Sequence, residues 1–229
     1  MHALASIERE TAPQVLMDDF ALSALLTWGS ERDFRWFVPR ILELLADHPE
    51  MAIEAEAIAS RLRMAGLDAW PEAEQDVVRD AFVALWRLWL DGGRPWRAPW
   101  RRRRSGWRLE PSDILLAAGE VDVDAGRLLT GFAARVPGDR PLGEEYAGAL
   151  ELIADESEED LQLFADGSEE EDPCSAPRFG DNTVVRFLVS DAGVAQVEGL
   201  AWHFAADDLG ERLRSLAQRL ARLQSALGS

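Results

Sequence analysis

Residues 70–93, WPEAEQDVVRDAFVALWRLWLDGG, form the clearest helical pattern in the chain. Pro71 suits the first position of a helix, where the N–H that proline lacks would have no partner. Gly92 and Gly93 are typical of a helix C-terminus, which commonly needs a left-handed residue. The apolar residues that recur at helical spacing between these ends are Val77, Val78, Ala81, Phe82, Leu85, Leu88 and Trp89, and Val83, Trp86 and Leu90 widen the same face. We therefore predict a helix whose second half is nearly surrounded by the protein core.

Helical spacing and capping residues extend this pattern over most of the chain. The further helices that we predict lie at residues 14–28, 31–47, 50–65, 112–118, 125–136, 142–154, 183–189, 192–206 and 209–227. The predicted fold class is therefore all-α, either a multihelical bundle or a short α–α superhelical stack of about nine or ten helices.

Local signals refine some of these segments. Ser30 and Asp33 have the spacing of a capping box, and Pro39 should kink or split the helix that follows. Residues 183–189, TVVRFLV, have a strand-like composition, so both helix and strand stay open there. Gly193 and Gly199 weaken the next helix or allow a close approach to it.

The last predicted helix carries leucines at steps of three and four, at positions 209, 213, 216, 220, 223 and 227. This heptad seam could form a coiled-coil dimer or dock onto the chain's own helices, and its shortness favours docking. Five tryptophans lie on or beside apolar faces, where we expect them in the core: Trp28, Trp36, Trp70, Trp86 and Trp89.

Charge is unevenly distributed along the 229 residues, whose net charge is −18. Residues 1–110 carry 15 Arg and 18 acidic residues, whereas residues 111–229 carry 9 Arg and 24 acidic residues. We predict one multihelical domain, 1–229. Its N-terminal half, 1–91, taken together with a basic Trp/Arg connector, 92–110, is near neutral. Its C-terminal half, 111–229, is acidic. This charge disfavours nucleic acid and anionic membranes as general partners.

The basic residues are all arginine, which excludes lysine nucleophiles and, with the Ala- and Leu-rich usage, indicates a GC-rich bacterial genome. The single cysteine, Cys174, fits a reducing cytoplasm. The sequence has neither a long apolar run nor a basic, apolar leader at its start, so we expect a cytoplasmic protein without a membrane association.

Two short motifs resemble those of a known family. DFRWFVPRILELL at residues 33–45 and WPEAEQ at residues 70–75, with RLRMAG at 61–66 between them, are similar to a family of uncharacterised bacterial all-helical proteins. In that family a DFRxFxPRILEL helix precedes a WPxxEQ helix. The likeness covers about residues 15–91, and it implies a helical fold and no activity.

A basic, aromatic segment interrupts the helical pattern at residues 94–109, RPWRAPWRRRRSGWRL. Its candidate binding residues are Arg94, Trp96, Arg97, Trp100, Arg101, Arg102, Arg103, Arg104 and Trp107. Arginine pairs with phosphate and tryptophan stacks on bases, so residues 94–108 could bind a single-stranded nucleic acid. The alternative, which we favour, is a connector whose indoles pack on the helices.

Acidic residues offer a second candidate surface. They are Glu158, Glu159, Asp160, Glu169, Glu170, Glu171 and Asp172, and residues 167–180 have the composition of a flexible loop. Such a surface suits a basic partner, although most acidic loops are only solvated.

No pattern in the sequence predicts catalysis. The three histidines, His2, His48 and His203, are isolated, and the zinc, phosphate-loop and nucleophile-elbow motifs are missing. We therefore predict no catalytic residue, metal or cofactor. The favoured function is a non-enzymatic adaptor or immunity-like protein, which binds another protein through its acidic half or a groove between helices. A nucleic-acid-associated protein using residues 94–108 is the alternative, and the sequence leaves the oligomeric state open.

Overall fold

The computed structural model describes residues 8–27, 29–47, 55–91, 110–165 and 182–227, with the side chains of these ranges except at positions 22, 138, 160–165 and 227. These ranges contain ten α-helices and no β-strand. The helices are α1 (Gln14–Ser23), α2 (Glu31–Asp47), α3 (Ala55–Met64), α4 (Glu72–Leu90), α5 (Pro111–Glu120), α6 (Ala125–Ala133), α7 (Arg140–Ala165), α8 (Thr183–Leu188), α9 (Asp191–His203) and α10 (Asp208–Leu227). The all-α prediction is confirmed.

The chain forms two compact units, Met1–Ala117 and Ala118–Ser229. Helices α1 to α4 belong to the first unit, and α6 to α10 belong to the second. The single-domain description of residues 1–229 stays a prediction.

Helix α4 contains the predicted core of the first unit. Pro71 is its N-cap residue, and Glu72 and Glu74 occupy the first turn, where carboxylates interact favourably with the helix dipole. The buried side chains are Val78, Phe82, Leu85, Trp86, Trp89 and Leu90. Burying each large apolar side chain contributes about 2 kcal/mol to stability. This face, rather than the caps, therefore holds the helix in place.

The apolar face of α4 is narrower than predicted. Val77 is 60% exposed and Leu88 is 38% exposed. Both lie more than about 100° around the helix from Phe82, given about 3.6 residues per turn. The core covers one side of the helix, so these two apolar residues face solvent and their predicted burial is wrong.

Helix α1 ends at Ser23, earlier than the predicted end at residue 28. Leu25 has a φ of 65°, and this left-handed conformation prevents the helix from continuing. Gly29 also has a positive φ, 91°, and a Cβ there would lie 2.9 Å from Phe20. Trp28 lies outside the described residues.

Helix α2 begins with the predicted capping box. The Ser30 N–H donates to Asp33 Oδ2 at 2.9 Å, and the Asp33 N–H donates to Ser30 Oγ at 3.2 Å. The Ser30 N–H and the Ser30 hydroxyl both donate to the Asp33 carboxylate and hold its pKa below its usual value. The helix then continues through Pro39 to Asp47 without a break, which excludes the predicted split.

Trp36 of α2 was predicted in the core, and that prediction is wrong. Trp36 is 58% exposed, whereas Phe34, Phe37 and Ile41 are buried. Trp36 lies out of phase with these three residues, so the core of the first unit does not reach it. Of the five tryptophans predicted in the core, Trp70, Trp86 and Trp89 are buried.

In the second unit, α10 packs against α9 and α7. Gln224, near the end of α10, donates to Asp191 at the start of α9, so these two helices run antiparallel. Arg212 and Arg219 of α10 pair in sequence order with Glu151 and Glu158 of α7, so α7 and α10 run parallel.

The heptad seam of α10 docks within its own chain. The buried leucines are those at 209, 213, 216, 220 and 223. Contacts with α7 and α9 cover this seam, which confirms docking over a coiled-coil dimer.

The segment 183–189 is helical. The Asn182 side chain caps α8 by accepting from the Val184 N–H at 2.9 Å and the Val185 N–H at 3.4 Å. Packing against α6 and α9 buries the apolar side chains. This cap and the tertiary contacts override the strand-like composition.

Candidate interaction groove

A surface groove of about 1000 Å³ lies between α2 and α4 in the first unit. The residues that line it are Arg9, Glu31, Arg32, Asp33, Arg35, Trp36, Val38, Pro39, Leu42, Trp70, Glu74, Val77 and Val78. We call it the α2–α4 groove. The favoured hypothesis from sequence included a groove between helices but gave it no position.

The groove has an apolar floor and apolar edges. Val38, Leu42, Trp70 and Val78 form the floor and are buried. Trp36 from α2 and Val77 from α4 line the same groove while being 58% and 60% exposed. Exposed apolar side chains that adjoin an apolar groove are typical of protein and ligand interaction sites.

An ion pair links the two helices at the groove. Arg35 of α2 donates through Nε and one terminal nitrogen to the two Glu74 carboxylate oxygens, both at 2.7 Å. The Arg35 guanidinium also lies 5.1 Å from the ring centroid of Trp70, which is a cation–π distance. These hydrogen bonds hold the pKa of Glu74 below its usual value. The pair therefore bridges α2 and α4 at the groove.

Arg9 makes a similar contact at the edge. Its guanidinium lies 5.2 Å from the ring centroid of Trp36 and 2.8 Å from a carboxylate oxygen of Glu10. The arginine orients the indole and covers part of it. This contact is at a cation–π distance and stabilises the observed position of the indole.

Asp33 and Glu74 of the groove are poorly suited to acid–base catalysis at neutral pH. A general acid or base works best when its pKa is near neutral pH. The pKa values of Asp33 and Glu74 are both lowered, by the Ser30 hydrogen bonds and by Arg35 respectively. Both groups are therefore ionised at neutral pH, and the arrangement favours binding.

The sequence matches no family model, and neither a curated protein nor a solved structure is significantly similar to it. The resemblance to helical bacterial proteins over about residues 15–91 therefore stays a prediction.

The predicted basic site lies outside the described residues. This applies to every member of the set, namely Arg94, Trp96, Arg97, Trp100, Arg101, Arg102, Arg103, Arg104 and Trp107. The nucleic-acid hypothesis based on residues 94–108 also stays a prediction.

The predicted acidic surface is described only at its start. Glu158 accepts two hydrogen bonds from Arg219, at 2.5 and 2.7 Å, and these lower its pKa. Glu159 is exposed. The side chain of Asp160 and the four acidic residues at 169–172 lie outside the description. Glu158 therefore already forms an ion pair with an arginine of its own chain.

A buried tyrosine joins three helices in the second unit. The Gln196 side-chain amide of α9 donates to the Tyr146 hydroxyl of α7 at 2.9 Å and to the Leu129 carbonyl oxygen of α6 at 3.2 Å. Burial raises the pKa of Tyr146 to about 12. The hydroxyl therefore stays protonated, and the contact is structural.

His203 lies at the end of α9, where one ring nitrogen is 3.0 Å from the Pro137 carbonyl oxygen. It is exposed and packs edge-on against Phe204. Within the described ranges, His, Cys, Asp and Glu side chains form no group of three that could hold a metal ion. The helices of those ranges also lack the combination of length and apolar character needed to cross a membrane.

Sequence reasoning missed the α2–α4 groove, although one signal was present. Trp36 is separated by about 100° or more around the helix from the buried residues nearest to it in sequence, which are Phe34, Phe37, Val38 and Ile41. This angular separation from the buried face was the signal that Trp36 stays exposed.

Proposed function

We propose that this chain is a non-enzymatic protein-interaction protein, adaptor- or immunity-like, whose partner protein binds in the α2–α4 groove. The observation that carries the proposal is the exposure of Trp36 and Val77 at the edges of a groove with a buried apolar floor. Tryptophans that are held in place beside such pockets are frequent energetic hot spots of protein interfaces. The single cysteine supports a reducing, cytoplasmic setting, and the all-arginine basic residues with the Ala- and Leu-rich usage support a bacterial source.

The groove supports the proposal better than the acidic half does. In the second unit, Asp155 and Glu158 pair with Arg219, and Glu151 pairs with Arg212. A partner would have to compete with these intramolecular arginines. In the groove, Val77 and the exposed part of Trp36 lose only water when a partner covers them.

Photocrosslinking tests the proposal in the native host. The crosslinking amino acid benzoylphenylalanine replaces Val77 in one variant and Val15 in a matched control. Val15 is also an exposed helical valine of the first unit, 73% exposed, and it does not line the groove. We expect one protein to be crosslinked from position 77 and not from position 15.

Binding of the purified crosslinked protein completes the test. We expect Val77→Asp and Trp36→Ala each to weaken its affinity about tenfold or more, as loss of a hot-spot contact does. Val15→Asp should bind like the wild type. Equal crosslinking from both positions, or an affinity that Val77→Asp leaves unchanged, contradicts the proposal.

A further inference from the structure

We propose that the α2–α4 groove binds an amphipathic helix of a basic partner protein, with apolar side chains in the groove and Lys or Arg side chains over α4. This inference rests on the proposed function and adds the chemical class of the partner segment.

The shape of the groove favours a helix. On α2 its lining runs from Glu31 to Leu42, which spans about 16 Å at about 1.5 Å per residue. That length matches about three turns of a helix lying along the groove. Because Trp36 and Val77 are more than half exposed, the groove is open to solvent. An occupant therefore buries one face and leaves the other in water, as an amphipathic helix does in a groove.

The polar groups of the groove disfavour an extended strand. A strand binds mainly through main-chain hydrogen bonds to an exposed sheet edge. The two walls here are helices, whose main-chain groups are bonded internally. Affinity must then come from side chains, at the spacing of i, i+3, i+4 and i+7.

The acidic side chain beside the groove favours a positively charged partner segment. The charged side chains that line the groove balance, since Arg9, Arg32 and Arg35 match Glu31, Asp33 and Glu74 in number. On α4, Asp80 is exposed and lies about one turn after Val77, about 60° from it around the helix. A basic residue beside the apolar anchor would therefore meet a carboxylate.

The same charges argue against a second copy of this chain as the occupant. Each copy carries a net charge of −18, so two copies repel at long range. A basic partner is attracted by the same field, which increases its rate of association.

Peptide selection tests the partner class. A library of random 16-residue peptides displayed on phage is selected on the immobilised full-length protein and, in parallel, on the Val77→Asp variant. We expect the peptides retained only by the wild type to have apolar residues at helical spacing and a net positive charge. Their circular dichroism should show helix formation on binding.

A charge-matched pair of variants tests the sign. Asp80→Arg and Glu159→Arg change the net charge equally, and Glu159 is exposed in the second unit. We expect Asp80→Arg to weaken the selected peptides by roughly two- to fivefold, since surface ion pairs contribute modestly. Glu159→Arg should leave their affinity within error of the wild type.

The outcomes separate this inference from the proposed function. Groove-dependent peptides that are acidic or proline-rich and extended would overturn the helical, basic class while leaving groove binding intact. A crosslink at position 77 without any groove-dependent peptide would also overturn it, because the partner would then use a different kind of surface. The absence of a specific crosslink at position 77 would instead contradict the proposed function itself.

Discussion

Gly193 and Gly199 lie on the same helix, and their surroundings give them different roles. A Cβ on Gly193 would lie 2.7 Å from the Leu188 carbonyl oxygen and would also clash with that of Phe187. Gly199 is exposed and a Cβ there would have no neighbour within 4 Å. Gly193 therefore allows the backbone at the end of α8 to approach α9 closely, whereas Gly199 only weakens the helix.

The two glycines give a matched pair of substitutions. We expect Gly193→Ala to lower the free energy of unfolding by about 1–3 kcal/mol, because the backbone must move to admit the methyl group. Gly199→Ala should leave it unchanged or raise it by up to about 1 kcal/mol, as alanine favours helix. Urea unfolding followed by circular dichroism measures both. Similar destabilisation by both variants would show that the close contact at Gly193 is unimportant.

At the scale of elements, α7 and α10 are joined by ion pairs that repeat along their length. Arg212 donates to Glu151 at 2.7 Å, and Arg219 donates to Glu158 one heptad further along both helices. Arg140 at the start of α7 adds pairs with Asp207 and Asp208 at the start of α10. These pairs hold the parallel helices in one register, while the buried leucines of α10 supply most of the stability.

Two neighbouring glutamates of α7, Glu158 and Glu159, test whether the ion pairs with α10 stabilise the fold. Glu158→Gln should lower the free energy of unfolding by about 0.5–1 kcal/mol, a modest value because the Glu158 side chain is 37% exposed and screened by solvent. Glu159→Gln, at an exposed position, should have no effect. The difference between the two variants should shrink in concentrated salt, which screens the pair. A difference that is zero at low salt would contradict a stabilising role.

At the scale of the whole molecule, hydrogen-bonded carboxylates occur in both units. Arg35 lowers the pKa of Glu74 in the first unit, and Arg219 and Arg140 lower the pKa values of Glu158 and Asp208 in the second. A carboxylate whose pKa is lower in the folded state binds fewer protons than in the unfolded state. Its contribution to stability is present above its unfolded pKa and is lost as the pH falls through the folded pKa.

We therefore expect the free energy of unfolding to be nearly constant from neutral pH to about pH 5 and to fall as the pH drops below about 4. Urea titrations at several pH values measure this, and Glu158→Gln should show a shallower decline than the wild type. Stability that increases on acidification from pH 5 to pH 3 would mean that relief of negative repulsion outweighs the lost hydrogen bonds.

The spacing of apolar residues was sufficient to predict the all-α class. Capping side chains close in sequence were sufficient to predict several helix starts. The Ser30–Asp33 capping box and the Asn182 cap depend on residues two or three positions apart, so a single sequence contains the information. The end of α1 was not predictable in this way, because the left-handed conformation of Leu25 has no sequence signature such as glycine.

The sequence by itself determined which residues are apolar, where helices form and how charge is distributed. Only the tertiary structure decided that Trp36 and Val77 stay exposed while Trp70 is buried, and that Arg35 and Glu74 meet across the groove. The physical reason is distance along the chain. Helix formation depends on neighbours within about four residues, whereas exposure and pairing depend on which distant helix covers each face.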